Sequence, residues 1–410
     1  MMPCGHSARR SRVVSLTEVV TSRAGKTPSR SNPSYWGGTV PWVTAKDLKS
    51  HRLKDSLDRI TEEAVRDGAP LARPGDVLIL VRGMTLMKDV PIGLVETAMS
   101  FNQDVRCLRP TDDISGEYLS YLLAAMRQHL LGLVTQAGHG TGRLESSQLE
   151  TVTLRLPSAE IQGSATAQIR AVERSVDAIA RLLCAKREFR RGLMQQLLTG
   201  QRRFPDLVRS DSWESIQLGD LLEDVSEAVQ WDDAAIYRLA SIRRRNAGIF
   251  HREAKRGVDI KTKALFTIRA SDFLISRMQA VHGALAVVPS EFDGYQVSGM
   301  YMVLRPKTPV RIRTEFLHLA SHLRQMYRNV LISSHGVHIE KMTFDPKKFM
   351  RTRILIPPTL EEQDRITAVL QVLDREIALL EQQRDAYEAR KRALLQRILS
   401  GDFNDLDPAA

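Results

Sequence analysis

The chain has 410 residues, 43% of them apolar, and its 59 Lys and Arg against 48 Asp and Glu give a formal net charge of +11. At roughly 150 residues per domain this predicts two or three domains with real cores, and it excludes a wholly disordered chain. There is no apolar run of the ~18 residues a membrane helix needs, and no apolar segment follows the basic N-terminus as a secretory signal would require. The surplus of cations makes a polyanion the leading partner class, nucleic acid ahead of an anionic membrane. Cys4, Cys107 and Cys184 are odd in number and far apart, which suits a reducing cytoplasm and neither a disulfide framework nor a zinc cluster.

In chain order, residues 1–160 read as a mixed α/β segment, with a β-prone run at 77–81 after a PGD turn and a helical patch at 117–131. At 154–162 the sequence LRLPSAEIQ is a short β-prone run, a proline break, an acidic residue and a glutamine. It opens a long helical stretch, 161–201, that finishes GLMQQLLTG at Gly200. A second mixed segment, 202–361, follows, with β-prone runs at 284–288 and 301–304 and a helical patch at 314–330. ILIPPTLEEQ at 354–363 repeats the lead-in, and a second long helix, 362–402, finishes ALLQRILSG at Gly401. Both terminal glycines read as helix caps, where a left-handed backbone is needed. The last residues, 403–410, read as a frayed tail.

The two long helices are in register at an offset of 201 residues. The first places Ile169, Val172, Val176, Ile179, Leu183, Lys186, Arg190, Leu193 and Leu197 at alternating steps of three and four. The second places Leu370, Leu373, Ile377, Leu380, Arg384, Tyr387, Lys391, Leu394 and Ile398 the same way. That is a heptad seam in each, and two matched seams in one chain predict that the helices pack on each other. Each helix is roughly 57 Å long at 1.5 Å per residue, and only a short linker follows the first. The second must therefore run back beside it. The expected class is α+β: two globular mixed α/β domains separated by two long antiparallel coiled-coil helices, with a pseudo-two-fold internal repeat.

These residues resemble the DNA-specificity subunit of Type I restriction–modification enzymes. GKTPSRSNPSYWGGTVPWVTAKDL at 25–48 resembles the family's first-domain signature, and LARPGDVLILVRG at 71–83 resembles the Gly-Asp strand that follows it. The two proline–glutamine lead-ins and KREFRRGLMQQLLTG resemble the start and finish of its long helices. DFLISRMQAVHGALAVVPSEFDGYQVSGMYMVL at 272–304 resembles the family's other common domain pattern, without the Tyr-Trp and Pro-Trp box. The resemblance implies two target-recognition domains, each reading one half of an interrupted DNA site. It also implies helices that act as a ruler and as the dock for two methyltransferase subunits, with restriction subunits as further partners. The scaffold is duplicated while the globular halves differ strongly in sequence, so the target is expected to be asymmetric. No cofactor and no catalytic group are expected in this chain.

The strongest charge run, 237–263, holds Arg238, Arg243, Arg244, Arg245, Arg252, Lys255, Arg256, Lys261 and Lys263 against Glu253 and Asp259. Cations of this kind neutralise phosphates, and guanidinium also pairs with guanine. In the first domain the candidates are Lys26 and Arg30, which flank the TPS turn, and Arg82 and Lys88, which follow the 77–81 run. Two glycine-containing loops precede the long helices: GHGTGR with His139, Thr141 and Arg143, and SSHGVHIEK with Ser333, Ser334, His335, His338 and Lys341. Glycine lets backbone approach a phosphate closely. Tyr35, Trp36 and Trp42 read as a packed corner ahead of a base-stacking platform.

Several signals are discounted. NPSY at 32–35 lacks the proline and the donor-binding glycine motif of an amino-methyltransferase. Glu253-Ala254-Lys255 is a short nuclease-like pattern common by chance. His318 and His322 have zinc-compatible spacing with no glutamate after the first. The sequence has no GxxxxGK[ST] loop for ATP. The alternative to a DNA-reading subunit is a coiled-coil assembly adaptor without specific DNA reading.

Overall fold

The structure, a computed structural model, describes residues 11–137, 140–207, 212–225, 227–336, 338–339 and 342–402. They fall into two compact units, divided after Ala180 and again after Glu381. Each long helix, Ala159–Leu198 and Leu360–Ser400, therefore gives one part of its length to each unit.

The first unit is built on a five-stranded sheet ordered Val20–Ala24, Val105–Pro110, Val77–Leu80, Ile92–Val95 and Arg52–Leu53. The run Val77–Leu80 does not alternate, and all four side chains are buried, as expected of a strand covered on both faces. A second sheet is ordered Asp58–Ile60, Trp36–Val43, Met99–Phe101 and Leu71–Ala72. Its middle pair is parallel and its outer pairs antiparallel.

The second unit repeats this plan. Leu222–Asp224, Tyr301–Pro306, Phe273–Ser276 and Leu285–Val287 form one sheet in the corresponding order. Ile249–Arg256, Ile236–Ile242, Gln296–Ser298 and Leu265–Thr267 form the other, again with a parallel middle pair between antiparallel outer pairs. The globular segments, so different in sequence, thus share the order and direction of eight strands, with Arg52–Leu53 an added edge strand in the first. A fold of this size asks only for the apolar pattern and a few buried polar pairs, and leaves the other positions free.

Those pairs are visible. In the first unit the Asp76 carboxylate, 3% exposed, accepts from Arg109 Nε at 3.0 Å and Nη2 at 2.7 Å. In the second, Asp272, 1% exposed, accepts from Arg305 Nε at 2.5 Å and Nη2 at 3.1 Å. Each aspartate also closes its own turn, accepting from the amide of Arg73 or Arg269 at 2.8 Å. The residue before each is left-handed, Gly75 at φ +94° and Ser271 at φ +67°.

The lead-in glutamines do equivalent work as well. Gln162 accepts from the Ser115 amide at 3.1 Å and donates to Asp113 O and Pro157 O. Gln363 accepts from the Arg313 amide at 2.8 Å and donates to Arg311 O. Both are buried, so each ties the start of a long helix to the start of a short one, Gly116–Ala125 or Thr314–Ser321.

The helical patches expected at 117–131 and 314–330 are each two helices. Gly116–Ala125 is followed by Arg127–Gly132, and Thr314–Ser321 by Arg324–Ile332. A turn at Met126 (ψ 5°) and an extended Leu323 (ψ 148°) separate them. A change at one backbone position leaves apolar spacing almost untouched, so periodicity does not register it.

Within the first unit Ile169 and Val172 share a core with Leu394 and Ile398, with Tyr387 packed against it. Lys391 reaches Glu173 at 2.7 Å. Within the second, Leu197, Leu370 and Leu373 share a core with Leu193 against it. There Lys186 bonds Glu376 at 2.7 Å and Arg190 bonds Asp374 at 2.9 Å. The partner number falls as the first rises, so these segments run antiparallel. Leu183 is buried, and Val176, Ile179, Ile377 and Leu380 are half-buried. Gly200 and Gly401 are left-handed at φ +70° and +77°.

Candidate nucleic-acid interface

In the first unit a small sheet gathers residues from two distant parts of the sequence. Thr141–Arg143 pairs with Thr135–Ala137 on one side and with Arg82–Gly83 on the other. Arg82 and Arg143 are direct cross-strand partners, and both are exposed. Like charges opposite one another are unfavourable in a sheet, and here Arg143 is balanced by Glu145 at 2.9 Å. The chain then makes a 3-10 turn, Met84–Met87, that leads to Lys88. Met84 is 74% exposed. Arg82, Lys88, Thr141 and Arg143 are therefore brought onto one small sheet and its adjoining turn. His139 lies outside the described residues.

Lys26 and Arg30 belong to a separate corner. The Arg30 guanidinium sits 4.6 Å from the ring centroid of Trp36, a cation–π contact. Trp36 and Trp42 meet edge to face at 5.0 Å. Their indoles donate to Ser29 O and Lys26 O, and the Tyr35 hydroxyl donates to Asp67 at 2.7 Å. Trp42 is only 2% exposed. The aromatic box is packed structure, and it fixes the backbone on which Lys26 and Arg30 stand exposed.

In the second unit the basic run is a long hairpin, Ile236–Ile242 with Ile249–Arg256. Its cations differ in setting. Arg243 donates to Ile249 O at 3.1 Å and lies 4.8 Å from the Phe250 ring centroid, so it braces its own hairpin. Arg238 lies 4.6 Å from the ring centroid of Tyr295. Lys255 and Arg252 both pair with Glu253, at 2.8 and 3.4 Å. Lys263 pairs with Asp233 at 3.1 Å beside Trp231. Arg256 and Lys261 are exposed. Arg244 and Arg245 stand at the hairpin turn and line a recess.

The second glycine-containing loop holds a short pairing of Ser334–His335 with Thr343–Phe344. The Phe344 amide donates to Arg277 O at 3.2 Å, as the Leu144 amide does to Val81 O at 3.0 Å in the first unit. Both loops are thus hung from the end of the strand that follows the buried aspartate. Ser333 is buried, while His335 and His338 are exposed. Lys341 lies outside the described residues.

Sequence reading missed Arg324, Tyr327 and Arg328, exposed on the helix Arg324–Ile332. Arg324 and Tyr327 line the same recess as Arg244 and Arg245. A signal was present: both short second helices open Arg-Gln, at Arg127-Gln128 and Arg324-Gln325.

Among the described residues no cluster of three or more His, Cys, Asp or Glu is placed to hold a metal ion, and no helix is long and apolar enough to cross a membrane. The rings of His318 and His322 stand 5.3 Å apart, edge to face. Burial, with a smaller repulsion from His322 and Arg190, pushes His318 down to about 4.

Two stretches of the chain, residues 10–182 and 211–388, match a family model described as the Type I restriction modification DNA specificity domain. The chain is 27% identical over 149 residues to the EcoR124I/EcoR124II specificity subunit of Escherichia coli, covering 36% of this chain and 37% of that protein. It is 31% identical over 159 residues to the MjaIX specificity subunit of Methanocaldococcus jannaschii, covering 37% of this chain and 35% of that protein. The sequence matches thus span little more than a third of these relatives. In fold the match is longer: the S subunit of a Type I restriction–modification system from M. genitalium superposes with a TM-score of 0.56 at 12% identity. That superposition covers 97% of this chain and 98% of the other.

Proposed function

Because the chain belongs to the Type I restriction–modification DNA specificity family, we propose that it is the non-catalytic DNA-reading subunit of such a system. It works in the cytoplasm on an asymmetric, bipartite site in double-stranded DNA. The observation that carries this reading is the repeated plan of the two units: one strand order used twice, with different residues at the tips. A shared backbone holds the reading loops, and the loops differ, so each unit reads its own half-site. The first presents Arg82, Lys88, Thr141 and Arg143, with Lys26 and Arg30 at a second corner. The second presents Arg244, Arg245, Arg256 and Lys261, with His335 and His338 on the hanging loop. Arg243, Lys255 and Lys263 act at one remove, bracing the hairpin or balancing its acids.

Phosphate neutralisation supplies most of the affinity and makes it steeply salt-dependent. Base-edge contacts supply the specificity. The antiparallel helix segments dock two methyltransferase subunits, with restriction subunits joining that complex.

The test is a base-resolution methylation map. The chain is expressed with its methyltransferase subunit in a host without adenine methylation, and omitted in a control. The expected result is an interrupted, asymmetric motif that depends on this chain. A soluble complex with active methyltransferase and no chain-dependent motif would favour the assembly adaptor instead.

A further inference from the structure

The second unit contains a recess of about 690 Å³ walled by the hairpin turn, the segment around His282 and the junction between the helices Thr314–Ser321 and Arg324–Ile332. Arg244, Arg245 and Arg324 line it together with His282, His322 and Tyr327. Among the described residues no carboxylate lines it. Arg245 and Arg324 bring two cations to the wall of one hollow, and an anion seated there is attracted to both.

The first unit shows how the same position is used when no anion is wanted. Arg127 opens the helix corresponding to Arg324–Ile332, and its guanidinium lies 3.5 Å from Asp89. Asp89 follows the 3-10 turn Met84–Met87. The matching turn in the second unit, Ala280–His282, is followed by Gly283 and Ala284. That turn thus carries no equivalent of Asp89, and Arg244 and Arg245 from the hairpin turn stand in the lining.

The hairpin turn is also held in place at a cost. Arg245 and Asn246 are left-handed at φ +61° and +52°, a strained backbone for residues with side chains. It persists because Arg245 N donates to His282 O at 2.8 Å, Asn246 N to Gly283 O at 2.6 Å, and Asn246 Nδ2 to Ser321 O at 3.2 Å. These bonds tie the turn to both other walls, so Arg245 and Arg324 are presented from a rigid frame.

We propose that this recess is a clamp for a backbone phosphate of the bound DNA, with Arg245 and Arg324 as its cations and Tyr327 at its rim. The inference rests on the DNA-reading function proposed above. It adds Arg324, which lies well outside the basic run in sequence, and gives the two units unequal phosphate contacts.

The experiment measures binding of the full chain to a fluorescent duplex of mixed sequence across a salt series. Arg324→Ala and Arg245→Gly should each lower the slope of log affinity against log salt by about 0.9. Glycine suits the left-handed backbone at 245, so that variant removes the guanidinium without disturbing the turn. Arg324→Lys should keep most of the slope, and Arg127→Ala should leave it unchanged. Wild-type binding with an undiminished slope in folded Arg324→Ala and Arg245→Gly would overturn the clamp and leave DNA reading intact. Failure of the wild-type chain to bind any duplex would overturn both.

Discussion

The two units place eight corresponding strands in the same order, the first adding Arg52–Leu53 at one edge, yet they differ in where charge and strain are kept. In the first, Arg127 is answered by Asp89 and the turn before the buried aspartate carries Gly75. In the second, Arg324 lines a recess with no acid among its described lining residues, and the corresponding turn carries Ser271 in the left-handed region. Among the described residues, the non-glycine positions with positive φ are Arg245, Asn246 and Ser271, all in the second unit. The comparison separates two kinds of residue. Buried polar pairs such as Asp76–Arg109 and Asp272–Arg305 are kept because the backbone depends on them. Residues at the strand ends are free to diverge, and there the two units acquire different chemistry.

The largest effect expected from this comparison is loss of either buried pair. Burial, the largest single influence, works to raise the pKa of Asp76, but the Arg109 fork, the Arg73 amide and the Cys107 thiol together hold the carboxyl below its ordinary range. Asp76→Ala leaves Arg109 without its partner and should cost about 3 kcal/mol, with Asp272→Ala costing a similar amount. Denaturant unfolding of the full chain measures both. A cost under about 1 kcal/mol at one site and not the other would mean the pair is no longer common scaffold.

A smaller effect sharpens the contrast between the turns. Gly75→Ser should destabilise by about 1 kcal/mol, since an added side chain meets no neighbour there and only the left-handed backbone objects. Ser271→Gly should stabilise by up to about 1 kcal/mol, less whatever its 3.4 Å bond to Glu315 contributes. Equal signs for the two substitutions would break the equivalence of the turns.

The smallest effect is in pH. Burial, the largest cause in each case, pushes both His51 in the first unit and His318 in the second down to about 4. His51 bonds Ser120, at the position in its helix that His318 occupies in the other. The unfolded chain takes up these protons near pH 6.5 and the folded chain does not. Stability is therefore full above that value and falls as pH drops towards 4. Each histidine should account for about 0.8 kcal/mol of loss between pH 8 and pH 6. Melting the chain across that range, with His51→Gln and His318→Gln for comparison, checks whether the two units contribute alike.

Much of the frame was legible from local signals. The helices declare themselves through a heptad seam, and their limits through proline and glycine, because these act on the backbone within a few residues. Three of the charged members of the seam, Lys186, Arg190 and Lys391, become intelligible only with their partners Glu376, Asp374 and Glu173 in place. The candidate interface was legible only in part. In sequence the basic run reads as a single patch, yet its hairpin puts the cations in different settings, and Arg243 is occupied with its own hairpin. Arg82 and Arg143 stand far apart in sequence, and only the strand pairing makes them neighbours.

The sequence by itself determined the α+β class, the repeat, the long helices and their caps, and the family to which the chain belongs, since all of these rest on spacing along the chain. Tertiary structure alone decided that the dissimilar globular segments share one topology, that Asp76 and Asp272 are equivalent, and that Arg324 stands with Arg244 and Arg245. Those facts depend on which residues meet through space, and a side chain's charge, burial and strain are set by the neighbours that folding brings to it.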